Sequence, residues 1–222
     1  MSELIQQFFN VDIMRQAFPY LMSGLFVTIT LTAVLAPLGF VCGLGLAVMS
    51  EARPAGVRWL VRVWVNVFRT MPPLVLIVIT FSALPFLGVR LPAIICAVIA
   101  LLLNNTAYYC EIIRAGLGSV SPGQMEAARS TGLGYKDSLR YVVLPQALRN
   151  VLPDLVSNTI EVVKATSLAS IVGVYDLLYS ASTIRSVTFN TSALTLAAII
   201  YLTILLPAVR LSGRLERRPK TV

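Results

Sequence analysis

The sequence predicts an all-α integral membrane protein with five transmembrane helices and one structured polar loop. Three observations carry that prediction. Apolar residues make up 57% of the chain and charged ones only 13%, against about a quarter charged in soluble domains. Apolar runs of the ~20 residues that a bilayer-crossing helix needs recur along the chain. The charges gather in the intervals between those runs.

The elements follow in chain order. Residues 1–16 form a segment ahead of the first run. Spans are expected at about 20–49, 57–87, 92–114, 151–176 and 191–211, the polar loop at 115–150 and a basic tail at 214–222. The first run is too long for the apolar core of a signal peptide, and no small-residue cleavage site follows it. Arg58, Arg62 and Arg69 recur at near-helical spacing before "PLVLIVITF", so the second span is expected to begin partly along the membrane surface. Pro72 and Pro73 allow a broken helix there, while Arg69 is read as snorkelling to the inner headgroups.

The third span carries a polar stripe of Asn104, Tyr108 and Glu111, with Asn105 and Thr106 beside it. The fourth carries Asp154, Ser157, Asn158, Glu161 and Lys164 on one face. Charges at membrane depth are costly and turn inward or towards water. Asn104, Asn105, Thr106, Glu111, Glu161 and Lys164 are therefore the candidates for lining a substrate path through the bundle. The alternatives stay open: interhelical hydrogen bonds for the asparagines and threonine, an Arg114 pair for Glu111, and mutual neutralisation for Glu161 and Lys164.

Basic residues set the orientation. Arg53, Arg58, Arg62, Arg114, Arg129, Lys136, Arg140, Arg149, Arg210, Arg214, Arg217, Arg218 and Lys220 fall on one side, and only Arg15, Arg90 and Arg185 on the other. The positive-inside rule puts the N-terminus outside and the 115–150 loop and C-terminus in the cytoplasm. The net charge of +8 then reflects topology and anionic lipid heads and requires no nucleic acid. Histidine is absent, which excludes His-based catalysis and His-ligated metal or haem. No G-x-x-x-x-G-K-[ST] loop is present, so ATP energy must come through a partner. Cys42, Cys96 and Cys110 have no metal-ligand spacing and read as packing residues. No internal repeat suggests a secondary transporter folded from two halves.

The loop "SPGQMEAARSTGLGYKDSLRYVVLPQA" has its own architecture. Ser121, Pro122 and Gln124 form an N-terminal capping box, and Gly132 is placed to end that helix. A second short helix is expected over Lys136 to Val143, stopping before Pro145.

"EAARSTGLGYKDSLRYVVLP" resembles the EAA signature of binding-protein-dependent ABC importer permeases: Glu126, Ala127 and Ala128, three residues, Gly132, nine residues, Val142 at the aliphatic position, one residue, Leu144 and Pro145. "NVFRTMPPLV", "NTAYYCEIIRAGLGSVSPGQMEAA", "LPQALRN" and "KATSL" are similar to the polar amino-acid branch, over residues 17 to 213. The resemblance implies a type I ABC importer permease fold in a bacterial inner membrane. It implies that Gly123, Gln124, Glu126, Ala127, Ala128, Gly132, Leu144 and Pro145 couple to an ABC ATPase subunit, which holds ATP and magnesium. A second permease, identical or homologous, and an extracytoplasmic amino-acid-binding protein complete the implied assembly. The chain itself is expected to have no enzymatic activity and no cofactor, and its substrate to be a polar amino acid, acidic or neutral by the likeness of "VNVFRTMPPLV" and "YDLLYSASTI". The rival expectation is an ion-driven secondary transporter using Glu161, Lys164 or Glu111.

Overall fold

The computed structural model describes residues 2–51 and 54–216. Arg53, Arg217, Arg218 and Lys220 of the basic side lie outside them. Every regular element among the described residues is helical.

Helix α5 (Ala93–Ser119) is the axis of the molecule. Ala97, Ala100, Ala107 and Gly116 are buried along it, and such small residues let neighbouring helices pack closely. Helix α1 (Ser2–Phe8) precedes α2 (Val11–Ser50), which lies against α5. At 40 residues, α2 is about 60 Å long. It begins at Val11, before the expected residue 20, and takes in residues 11–16 of the segment expected to stand ahead of the first span. Gly43 sets the approach of the two helices: a Cβ there would sit 2.6 Å from Tyr109 Cβ and 2.9 Å from the Cys110 backbone nitrogen.

The span expected over 57–87 is two helices. Helix α3 (Ala55–Thr70) and α4 (Pro73–Ala83), the latter extended by a 3₁₀ turn over Leu84–Leu87, meet at 99°. The cause lies in covalent chemistry. Residues 72 and 73 are both proline and supply no N–H to the carbonyls four residues earlier, those of Phe68 and Arg69. Two α5 side chains supply the missing donors. Asn104 Nδ2 donates to Phe68 O at 2.8 Å and to Met71 O at 3.3 Å, and Tyr108 OH donates to Arg69 O at 3.3 Å.

After the loop, α9 (Leu152–Thr166) continues as a 3₁₀ turn over Ser167–Val172, and α11 (Ser192–Glu216) is the last long helix. Between them stands α10 (Leu177–Thr188), a helix the sequence reading missed in a segment without a strong apolar run. Three buried clusters stack along the bundle. One joins α2, α3 and α5 to the loop, one joins α2, α4, α5 and α9, and one joins α2, α10 and α11 at the end far from the loop.

That far end is stitched by polar contacts. Thr191 N donates to Gln7 O at 3.0 Å, Gln7 Nε2 to Phe189 O at 3.2 Å, Asn190 Nδ2 to Gln6 O at 2.9 Å and Asn10 N to Ser192 Oγ at 2.9 Å. Deeper in, the fully buried Asp176 caps α10 by accepting from Tyr179 N at 2.7 Å.

Candidate functional site

The polar loop is built on the core of the helices it joins. Helix α6 (Pro122–Ser130) starts at Pro122 and stops where Gly132 takes φ +93°, a left-handed conformation that favours glycine. Ser121 occupies the N-cap position, but its side chain makes no capping bond. Gln124 does not complete a capping box either; its Oε1 accepts from Gln146 Nε2 at 3.2 Å. The short helix expected to stop before Pro145 runs on. Helix α7 (Tyr135–Ser138), a π turn over Leu139–Val143 and α8 (Leu144–Asn150) follow without a break. In the wide turn Leu144 N bonds to Leu139 O, five residues back, which lets the chain enter α8 with Pro145 in its first turn.

Gly123, Gln124, Glu126 and Ala127 are exposed on α6, and Pro145 is exposed on α8. Ala128 is not available beside Ala127: it is buried, and α6 packs on the π turn. Leu139, Val143 and Ala147 belong to the buried cluster that holds Ala47, Tyr109 and Ile113, with Met125 and Leu144 packed against it. Asn150 Nδ2 donates to Ser119 Oγ at 2.9 Å, tying the loop's two ends. A push on the exposed face of α6 therefore reaches α2, α3 and α5 through close-packed side chains.

Between α5 and α9 lies a groove of about 610 Å³, with Pro73 of α4 at its wall. From α5 it receives Asn104, Asn105 and Tyr108; from α9, Asp154, Ser157, Asn158, Glu161 and Lys164. Asn158 Nδ2 donates to Asn105 Oδ1 at 2.9 Å across the floor, and Asn105 Nδ2, buried, has no partner. Glu161 and Lys164 form an ion pair one helical turn apart. The groove thus offers hydrogen-bond donors and acceptors beside apolar walls, the mixture a small polar solute needs.

Residues 37–221 match the family described as "binding-protein-dependent transport system inner membrane component". The chain belongs to this family. Similar proteins include a probable amino-acid ABC transporter permease of Bacillus subtilis, YckA, 33% identical over 95% of this chain and 93% of that one. The probable glutamine permease GlnP of the same organism is 36% identical over 90% and 93%. The glutamate/aspartate import permease GltK of Escherichia coli O157:H7 is 35% identical over 90% and 93%. A crystal structure of an amino acid ABC transporter with histidines superposes with a TM-score of 0.84 at 35% identity, over 92% of this chain and 96% of that one. The inward-facing methionine transporter MetNI shares the fold, with a TM-score of 0.71 at 22% identity over 88% of this chain and 96% of that one.

Not all of this permease's candidate path residues meet in the groove. Asn104, Asn105, Glu161 and Lys164 do. Thr106 is buried outside the groove lining, its carbonyl lying under Gly43 of α2. Glu111 faces a separate cleft and is held by Arg114, at 2.6 and 3.2 Å, with Arg69 at 3.4 Å. Arg69 therefore does not simply snorkel; it is ion-paired at the proline break. Both N–H groups of Asn104 are engaged by the break, so that side chain has a structural task as well as a place in the groove wall. Tandem prolines were the visible signal for this, because they strip two donors, but nothing in the sequence says that α5 supplies the replacements.

Proposed function

We propose that this permease forms half of the translocation pathway of an ATP-driven importer of polar amino acids. It lies in a bacterial inner membrane with its N-terminus outside and its loop and C-terminus in the cytoplasm. A second permease, identical or homologous, faces the open side of the groove. An ABC ATPase subunit, holding ATP and magnesium, docks on Gly123, Gln124, Glu126 and Ala127, and an extracytoplasmic binding protein delivers substrate. The observation that carries this reading is the shared core of loop and membrane helices: Leu139, Val143 and Ala147 pack in one cluster with Tyr109 and Ile113. A loop that served only as a connection would not need to be continuous with the helices whose tilt opens a path.

The names of the similar proteins, which are amino-acid permeases, support the substrate class. Ion coupling finds less support. Glu161 and Lys164 neutralise one another and Glu111 is shared by two arginines, so none of the three stands as the unpaired group an ion-driven cycle needs. The deciding experiment is uptake into proteoliposomes holding the assembled complex. Accumulation of an amino acid that requires both internal ATP and the soluble binding protein is expected. Accumulation on a proton or sodium gradient with no nucleotide would overturn the proposal.

A further inference from the structure

One apolar face at the N-terminal end is covered by nothing among the described residues. On α1, Leu4, Ile5 and Phe8 fall on one side of the helix and Glu3, Gln6 and Gln7 on the other. The polar side is engaged. Thr191 N donates to Gln7 O at 3.0 Å, Gln7 Nε2 to Phe189 O at 3.2 Å and Asn190 Nδ2 to Gln6 O at 2.9 Å. These bonds fix the rotation of α1 and leave Leu4, Ile5 and Phe8, with Phe9 next to them, exposed. The turn they hold adds exposed Val187 and Phe189. Phe189 ends α10 at φ +54°, alone among the described non-glycine residues in having a positive φ. Glycine or asparagine usually fills that position, and strain of this kind persists only where neighbouring contacts enforce it. Here Phe189 N donates to Arg185 O at 2.9 Å and Gln7 holds the carbonyl, and the result is a phenyl ring that is 86% exposed.

Three observations favour lipid over protein as the cover. First, α1 and α2 together make one apolar stretch, Glu3–Ser50, of 48 residues. That is about 72 Å of helix, against ~30 Å of hydrocarbon and about 40–45 Å with the headgroups, so α1 stands at the headgroup end of the rod. Second, the six apolar side chains include no charge. A partner that docks and leaves meets a surface about as polar as the rest of the protein, whereas a helix lying in the bilayer interface splits into an apolar and a polar face as α1 does. Third, the face continues into exposed apolar side chains of α2, among them Phe18 and Phe26. We propose that α1 and the turn at 187–189 form one anchor in the outer leaflet, seated where phospholipid headgroups meet acyl chains. Asn10 N donates to Ser192 Oγ at 2.9 Å just behind it, so the anchor holds the starts of α2 and α11 at one depth. It rests on the orientation proposed above, with the N-terminus outside.

The test places a nitroxide on a single cysteine of the assembled permease–ATPase complex, in vesicles of phosphatidylethanolamine and phosphatidylglycerol. Cys42, Cys96 and Cys110 are replaced by alanine, the ATPase subunit is made cysteine-free, and the labelled positions are Phe8→Cys, Phe189→Cys and, on the polar side, Glu3→Cys. Uptake by each variant before labelling confirms assembly. Relaxation by oxygen, which concentrates among acyl chains, is compared with relaxation by a nickel chelate that stays in water. The oxygen-to-nickel ratio should be severalfold higher at positions 8 and 189 than at position 3. Nickel favoured at all three positions overturns the anchor, and nickel access that disappears when the binding protein is added makes the face a protein dock instead. Access by neither reagent at 8 and 189 also overturns it, by burying the face against a second permease. The side is read independently, from reaction of Glu3→Cys with an impermeant maleimide in intact spheroplasts. Reaction only in inside-out vesicles overturns the orientation, and with it the outer leaflet, whatever the nitroxides report.

Discussion

Glu126→Lys is expected to abolish ATP-driven uptake while leaving the folded chain as stable as the wild type. Glu126 is exposed on α6, and substitutions at exposed positions without special partners typically change stability by about 0.5 kcal/mol or less. Its proposed role lies across an interface, where the carboxylate accepts a charge-assisted hydrogen bond from the ATPase subunit. Reversing the charge removes that bond and sets like charges together, a loss of about 2–5 kcal/mol that weakens docking roughly 30-fold or more. Capture of the ATPase by the immobilised permease, thermal unfolding and uptake should be measured on one preparation. Docking and uptake should fall together with unfolding unchanged. Gly132→Val is a second probe, because φ +93° strains a β-branched residue and redirects the chain leaving α6. Should both variants dock and transport like the wild type, the loop has no part in coupling.

Asn104→Leu should have the largest effect among the groove residues, for a reason unrelated to substrate. Its amide serves the carbonyls of Phe68 and Met71 at the corner between α3 and α4. Leucine has a similar size but no donor. A carbonyl left buried and unpaired costs about 1–3 kcal/mol, which at about 2–4 °C per kcal/mol for a chain of this length lowers the unfolding temperature by about 2–12 °C. Uptake should fall further than that loss explains, because Pro73 and Asn104 share the groove wall and move together when the corner relaxes. Tyr108→Phe, which removes the single longer bond to Arg69 O, should show the same pattern at smaller size. An Asn104→Leu protein with wild-type unfolding would mean that the corner holds without α5.

Much of the architecture was legible because the membrane reduces it to a length rule. Four long helices stand near the predicted spans, and the polar face of α9 could be read from the spacing of Asp154, Ser157, Asn158 and Glu161. Three things were not legible. The second span reads as one apolar run because hydropathy does not register a missing N–H; only the two prolines mark the corner. Helix α10 is short and rich in serine and threonine, and it holds its place through tertiary contacts such as Leu177 N donating to Thr28 Oγ1 at 3.2 Å, which no local pattern encodes. Thr106 looked equivalent to Asn104 because residues within one helical turn share a sequence neighbourhood, and for Glu111 the sequence left open both the path and the Arg114 pair that forms. Their directions around α5 differ, and only the packing of α2 and α3 decides which of them meets the groove.

The contacts between residues 6–10 and 189–192 limit how the molecule can deform. They pin the starts of α2 and α11, the first and last long helices, to one another at the end far from the loop. At the other end α11 is held to α9, with Ser212 Oγ within 2.7 Å of Ser157 Oγ, and its link to α2 is indirect. The two rods therefore behave as the blades of a pair of scissors riveted at one tip. Any spreading between them must grow with distance from that rivet and be widest on the side where the loop sits.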